Sequence, residues 1–155
     1  MTDKQIWQLI EKLRLEEKAD LCSGADTWTT KANHGKGIPK LRLADGPHGV
    51  RREDRHETYP DKAHSAPATC FPTACAVSAG WNAELAGQIG AARGEEGRDQ
   101  GIGMQLGPGV NIKRSPLGGR NFEYYSEDPV LAGEMAAGFI HGMQNHGVAA
   151  SIKHF

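Results

Sequence analysis

Three groups of residues in this chain carry side chains that could do chemistry. Asp45 and Arg51 bracket the run Asp45-Gly46-Pro47-His48-Gly49-Val50-Arg51. Lys113, Arg114, Arg120, Glu123, Tyr124 and Tyr125 share one polar, glycine-rich stretch. Lys153 and His154 are neighbours near the carboxyl end of the sequence. A carboxylate such as Asp45 accepts two hydrogen bonds from a polyol, or a bidentate bond from an arginine. Arg51 could fold back beside it. The plainer alternative is a turn cap with Arg51 as salt-bridge partner, and the residues alone leave both open. For the stretch after Met104 the plainer alternative is a packed surface loop with two solvated arginines.

The elements that must position these groups read as follows. Thr2 or Asp3 caps a first helix whose Ile6, Leu9, Ile10 and Leu13 form one apolar stripe. Leu15–Leu21 is a second short helix ended by Ser23-Gly24, and both helices read as docking elements. Trp28, in a polar segment, serves either as a pocket wall or as a loop anchor. Ile38 to Ala44 is a short strand that delivers Asp45. Arg52 to Ala66 is an exposed loop, and His56-Glu57 lacks a second histidine at metal-site spacing. Pro67 to Ala79 reads as a buried strand of small residues that includes Cys70 and Cys75. Asn82 caps a helix with Leu85, Ile89 and Ala92, in which Gly87, Gly90 and Gly94 allow close packing, running to about Gln100.

Met104 to Leu106 starts a strand that Gly107-Pro108-Gly109 should stop. A loop of about 20 residues follows, a length usually reserved for function or disorder. Its tyrosines, phenylalanine and arginines argue against disorder. Ser126-Glu127-Asp128-Pro129 opens a helix with Leu131, Met135, Phe139, Ile140 and Met143 inward, closed by Gly147. Val148 to Ile152 is a buried strand that delivers Lys153-His154. Gly101-Ile102-Gly103 lacks the third glycine and the preceding strand of a dinucleotide fold.

Composition narrows the function classes. The chain has 155 residues, 38% apolar and 24% charged, which fits one globular domain. A formal charge of -1 gives no bulk attraction to nucleic acid or to an anionic membrane. No run approaches the apolar length of a membrane span or a signal core. Three cysteines suggest no disulfide framework, so a cytoplasmic location is the expectation. No cofactor or metal motif is found, and a homo-oligomer is compatible with the sequence. Polar groups fall where strands hand over to loops, the layout of a (β/α) barrel's active face. About four strand candidates are too few for the eight strands and ~250 residues of a closed barrel. The fold expectation is therefore α/β, the amino-terminal portion of an incomplete TIM-like barrel over residues 1–155.

Five segments in order resemble glycoside hydrolase family 3, the β-glucosidase and β-xylosidase family. They are Leu15-Glu-Glu-Lys-Ala with Cys22-Ser-Gly-Ala-Asp26, Leu41 to Arg51, Leu106 to Ile112, Pro116 to Glu123 with Ser126 to Pro129, and Lys153-His154-Phe155. The resemblance implies a barrel-like domain that grips a terminal sugar. By motif, Asp45 resembles the carboxylate that binds sugar hydroxyls. Arg51 and Arg120 resemble pocket arginines, and Lys153 and His154 the adjacent pair that binds the same ring. Retaining hydrolysis needs two carboxyl groups ~5–5.5 Å apart. The resemblance implies that nucleophile and acid/base both lie beyond Phe155, so the isolated chain is expected to be silent. The substrate implied is a β-glucoside or oligosaccharide. The alternatives are a non-catalytic sugar-binding module, a β-xylosidase or an N-acetylglucosaminidase.

Overall fold

The computed structural model describes residues 1–55 and 63–154, so the His56-Glu57 and Phe155 readings lie outside the described residues. The chain divides into two compact units, Met1–Leu43 and Ala44–Phe155.

In the first unit, α1 spans Asp3–Glu11 and α2 spans Leu15–Leu21. Thr2 starts α1 through a capping box: its hydroxyl accepts from the Gln5 amide while the Gln5 side chain accepts from the Thr2 amide. Neither helix contributes a buried residue. Of the expected stripe only Leu13 is buried, and Ile6 is exposed. The polar segment after α2 is held by short-range bonds. Asp26 accepts from the Trp28 amide and the Thr29 hydroxyl, and Asn33 donates to Glu17 at 3.0 Å.

The second unit holds the core. Strand β1 (Leu43–Ala44) is far shorter than the run from Ile38 suggests. Pro39 has no amide to donate, and Asn33 and Arg42 make only isolated bridges there. Arg52 to Ala66 is not wholly loop: β2 (Glu53–Arg55) pairs antiparallel with β3 (Ala63–Ser65). Pro67 to Ala79 contains no strand. Thr73 caps a short helix, α3 (Ala74–Ser78), and its small residues suit either state. Cys70 is exposed and Cys75 half-buried, so neither is a core residue, and all three thiols are free.

Helix α4 (Ala83–Asp99) is capped by the Asn82 side chain on the Leu85 amide. Its buried face is Ala86, Gly90, Arg93, Gly94 and Gly97, not the expected Leu85–Ile89–Ala92 line; Leu85 is exposed. The reason is helix α5 (Pro129–Gln144), which packs against α4 through glycines. A methyl group on Gly90, Gly138 or Gly142 would run into a backbone carbonyl of the facing helix. Close approach of the two backbones thus outweighs the burial of a leucine. Helix α5 begins as expected, with Asp128 as cap and Pro129 in the first turn. Met135, Phe139 and Met143 are its buried core residues.

Strand β4 (Met104–Gly109) runs through Gly107-Pro108 instead of stopping there. It is the central strand of a three-stranded sheet of order β1–β4–β5, with β5 at Ala149–Lys153. The pairing of β4 with β5 is parallel and shifts register between Leu106 and Gly107, both opposite Ser151. A bulge lets a strand carry a proline without losing the ladder on either side. Strand β5 is half-buried, with Ile152 exposed, so it is less enclosed than expected. Among the described residues no helix is long and apolar enough to cross a membrane. The α/β expectation holds; three sheet strands do not make a barrel.

Candidate active-site surface

Of the expected site residues, Asp45, Lys153 and His154 lie at or just after strand ends, Arg51 precedes β2, and Arg120 lies farther along a connection. Asp45 follows β1, Arg120 lies in the connection after β4, Lys153 ends β5 and His154 follows it. Asp45 and Lys153, 108 positions apart, meet directly: Lys153 Nζ donates to Asp45 Oδ1 at 2.6 Å. The Gly46 amide donates to the same oxygen at 2.8 Å. Arg51 returns beside Asp45 through a backbone bond, its amide donating to the Asp45 carbonyl at 2.8 Å. Its guanidinium stands 3.9 Å from Asp45 Oδ2 and 3.5 Å from Glu53. The turn cap and the partnership with Arg51 are therefore both present, and Lys153 is the stronger partner.

Burial works against the charge of Asp45. The Lys153 hydrogen bond, the Gly46 amide and the Lys153 and Arg51 cations outweigh it and hold the carboxyl below its ordinary value. Asp45 is thus an ionised acceptor whose Oδ1 is occupied and whose Oδ2 has the longer contact to Arg51.

Arg120 and His154 form the second pair. The Arg120 guanidinium donates to His154 Nε2 at 2.8 Å and is bound from behind by Glu123. Arginine can only donate, so Nε2 of a neutral His154 accepts and Nδ1 carries the proton. Nδ1 lies 3.2 Å from both Asn111 Oδ1 and the Tyr124 hydroxyl. Asn111 also accepts from the His154 amide at 2.8 Å. Burial, then the cations Arg120 and Lys153, lower the pKa of His154.

Asp45 and Lys153 come from the two outer strands and meet at one end of the sheet, where Arg120, Lys153 and Asp45 all act electrostatically on His154. A small cavity beside them touches Gly46, Glu123 and Lys153. Its volume of about 40 Å³ suits a single water, so a sugar would sit outside it. Sequence reasoning gave five of these residues a role in the site, named Glu123 as a polar group without assigning its bond to Arg120, and gave no role to Asn111 or Arg93. The partner of Asn111, His154, is 43 positions away, a distance that hides the contact. Arg93 did leave a signal: Gly90, Gly94 and Gly97 share its helix face. No three His, Cys, Asp or Glu among the described residues cluster as metal ligands.

An α/β piece with a parallel strand pair and ionic groups gathered toward one end of the sheet defines a class, an α/β domain with its polar groups at the strand ends. The comparisons narrow it. Residues 29–155 match the model of the glycosyl hydrolase family 3 N-terminal domain. The chain is 51% identical over 150 residues to thermostable β-glucosidase B of Acetivibrio thermocellus, covering 97% of this chain and 20% of that protein. It is 50% identical over 149 residues to an exo-α-(1→6)-L-arabinopyranosidase of Bifidobacterium longum, covering 94% of this chain and 19% of that protein. Its fold matches β-glucosidase 3B of Thermotoga neapolitana, solved in complex with α-D-glucose, with a TM-score of 0.84 at 40% identity. That match covers 97% of this chain and 23% of the other. The chain belongs to glycoside hydrolase family 3. It spans about a fifth of the length of the curated relatives it matches.

Proposed function

We propose that this chain forms part of a TIM-like (β/α) barrel and supplies the sugar-gripping side of a β-glucosidase active site. The complete protein would hydrolyse terminal β-D-glucosyl residues with retention, its nucleophile and acid/base coming from outside these residues. The observation that carries the reading is the 2.6 Å bond between Lys153 and Asp45, with Arg51 beside it and the Arg120–His154 pair at the same end of the sheet. A pyranose presents hydroxyls around its rim. Ionised acceptors and cationic donors read that pattern, and such bonds strengthen as the ring distorts toward an oxocarbenium-like state. Asp45 is read as a hydroxyl acceptor, not the nucleophile, because a lysine and a backbone amide already bind its Oδ1.

The similarity to an arabinopyranosidase favours a second substrate reading. An α-L-arabinopyranoside shares with a β-D-glucoside its O2 and O3 arrangement and an equatorial leaving oxygen, and differs at C4 and C6. The test is kcat/KM of the complete protein on 4-nitrophenyl β-D-glucoside and α-L-arabinopyranoside. Replacing Asp45 with Ala should lower kcat/KM by about 1000-fold on the preferred sugar, the loss of several charge-assisted bonds. An undiminished kcat/KM in Asp45→Ala sinks the sugar-site reading.

A further inference from the structure

The turn that carries Asp45 has an unusual underside. Gly46 sits at φ +117°, and a methyl group there would collide with the Gly49 carbonyl. The chain folds so tightly that the carbonyl oxygens of Gly46, Pro47 and Gly49 point inward together. Three converging carbonyls create a buried patch of negative partial charge that needs a donor. Arg93 supplies it. Its Nη2 donates to Gly46 at 2.6 Å and to Gly49 at 3.1 Å, and its Nη1 donates to Pro47 at 3.1 Å. The residue is only 6% exposed, and its guanidinium lies 5.3 Å from the centre of the Phe139 ring. Among the described residues its Nε has no partner. Burial lowers its pKa to about 10, against the pull of Tyr125, Asp45 and Glu96, so it stays charged at neutral pH.

A buried cation that serves only to fill space is a poor use of a helix face, since apolar residues of that size pack there at lower cost. What Arg93 does here is tie three carbonyls of one turn, those of Gly46, Pro47 and Gly49, to a single side chain. The Gly46 amide that holds Asp45 Oδ1 belongs to that turn. We infer that Arg93 is a positioning residue: by gathering the Gly46, Pro47 and Gly49 carbonyls, it sets the direction in which the Asp45 carboxylate faces the substrate. The inference rests on the sugar-site reading above and adds a residue that never touches the sugar.

A double-mutant cycle in the complete protein tests it, with Arg93→Lys, Arg93→Met, Asp45→Asn and the two pairs. Lysine can reach one carbonyl where arginine reaches three. Misplacing a binding group by about 1 Å costs about 100-fold. Arg93→Met should therefore lower kcat/KM by about 100-fold, and Arg93→Lys by less. In the Asp45→Asn background the same Arg93 changes should cost about 2-fold or less, because the group they misplace is already disabled. Should Arg93→Met fail to fold, Arg93→Lys carries the cycle, with thermal unfolding measured alongside. Additive losses, or losses that follow only the unfolded fraction, overturn the inference and leave the sugar-site reading intact. An Asp45→Asn protein of full activity overturns that reading and this inference together.

Discussion

The Asp45–Lys153 pair and the Arg120–His154 pair lie at the same end of the sheet but are held in different ways. Lys153 and Asp45 are 18% and 27% exposed in their side chains, and Arg120 is 56% exposed. The first pair is an ion pair anchored by main chain: Lys153 ends a strand, and the turn after Asp45 is clamped by Arg93. The second is a chain of neutral and charged hydrogen bonds across side chains, from Glu123 through Arg120 and His154 to Asn111 and Tyr124. Water screens the second more than the first. The lesson is that the inner pair fixes where charge sits, whereas the outer set tunes orientation and protonation.

Three experiments break or sharpen that contrast. The largest effect is expected from Lys153→Ala in the complete protein. It removes a cation from a partly buried carboxylate and, on the proposed reading, a donor from the sugar, so kcat/KM should fall by about 100- to 1000-fold. A fall no larger than that of Arg120→Ala would erase the distinction between inner and outer pairs. A middle effect is expected from Glu123→Gln, which keeps shape but removes the charge behind Arg120. About 10-fold in kcat/KM is expected, from one weakened charge-assisted bond. An unchanged value would mean that Arg120 needs no support from Glu123.

The smallest effect concerns protons. His154 should titrate below its ordinary value of 6.5, and Arg120→Met should raise its pKa by removing one of the cations that oppose its charge. Histidine-selective NMR titration reads both. Between 6.5 and the lower folded value the unfolded chain holds the extra proton, so stability falls as pH drops through that window. Asp45 acts at lower pH. Its folded value lies below 3.8, so its contribution is complete above that value and is lost as pH falls through the folded one. A His154 titrating at or above 6.5 would contradict the Nε2-acceptor arrangement.

The sequence carried the punctuation of the fold well. Thr2, Asn82 and Asp128 are caps because a short side-chain oxygen can reach an unpaired amide only within its own turn, a local fact. Long-range competition was not legible. Pro67 to Ala79 reads as a strand by its small residues, yet Thr73 starts a helix there. Gly107-Pro108 reads as a stop, yet a bulge opposite Ser151 keeps the strand going. In α4, Leu85 reads as core, yet it is exposed while Arg93 is buried on the glycine face that α5 approaches.

By itself the sequence determined the helix starts, the five motif segments and the chemical types that stand at the strand ends. Those follow from bonds made within a few residues. Only the tertiary structure decided that Lys153 would reach Asp45 across 108 positions, that Arg120 would meet His154 across 34, and that Arg93 would lie beneath the Asp45 turn. Such contacts depend on how closely two backbones pack, and that distance is set by all the side chains between them at once.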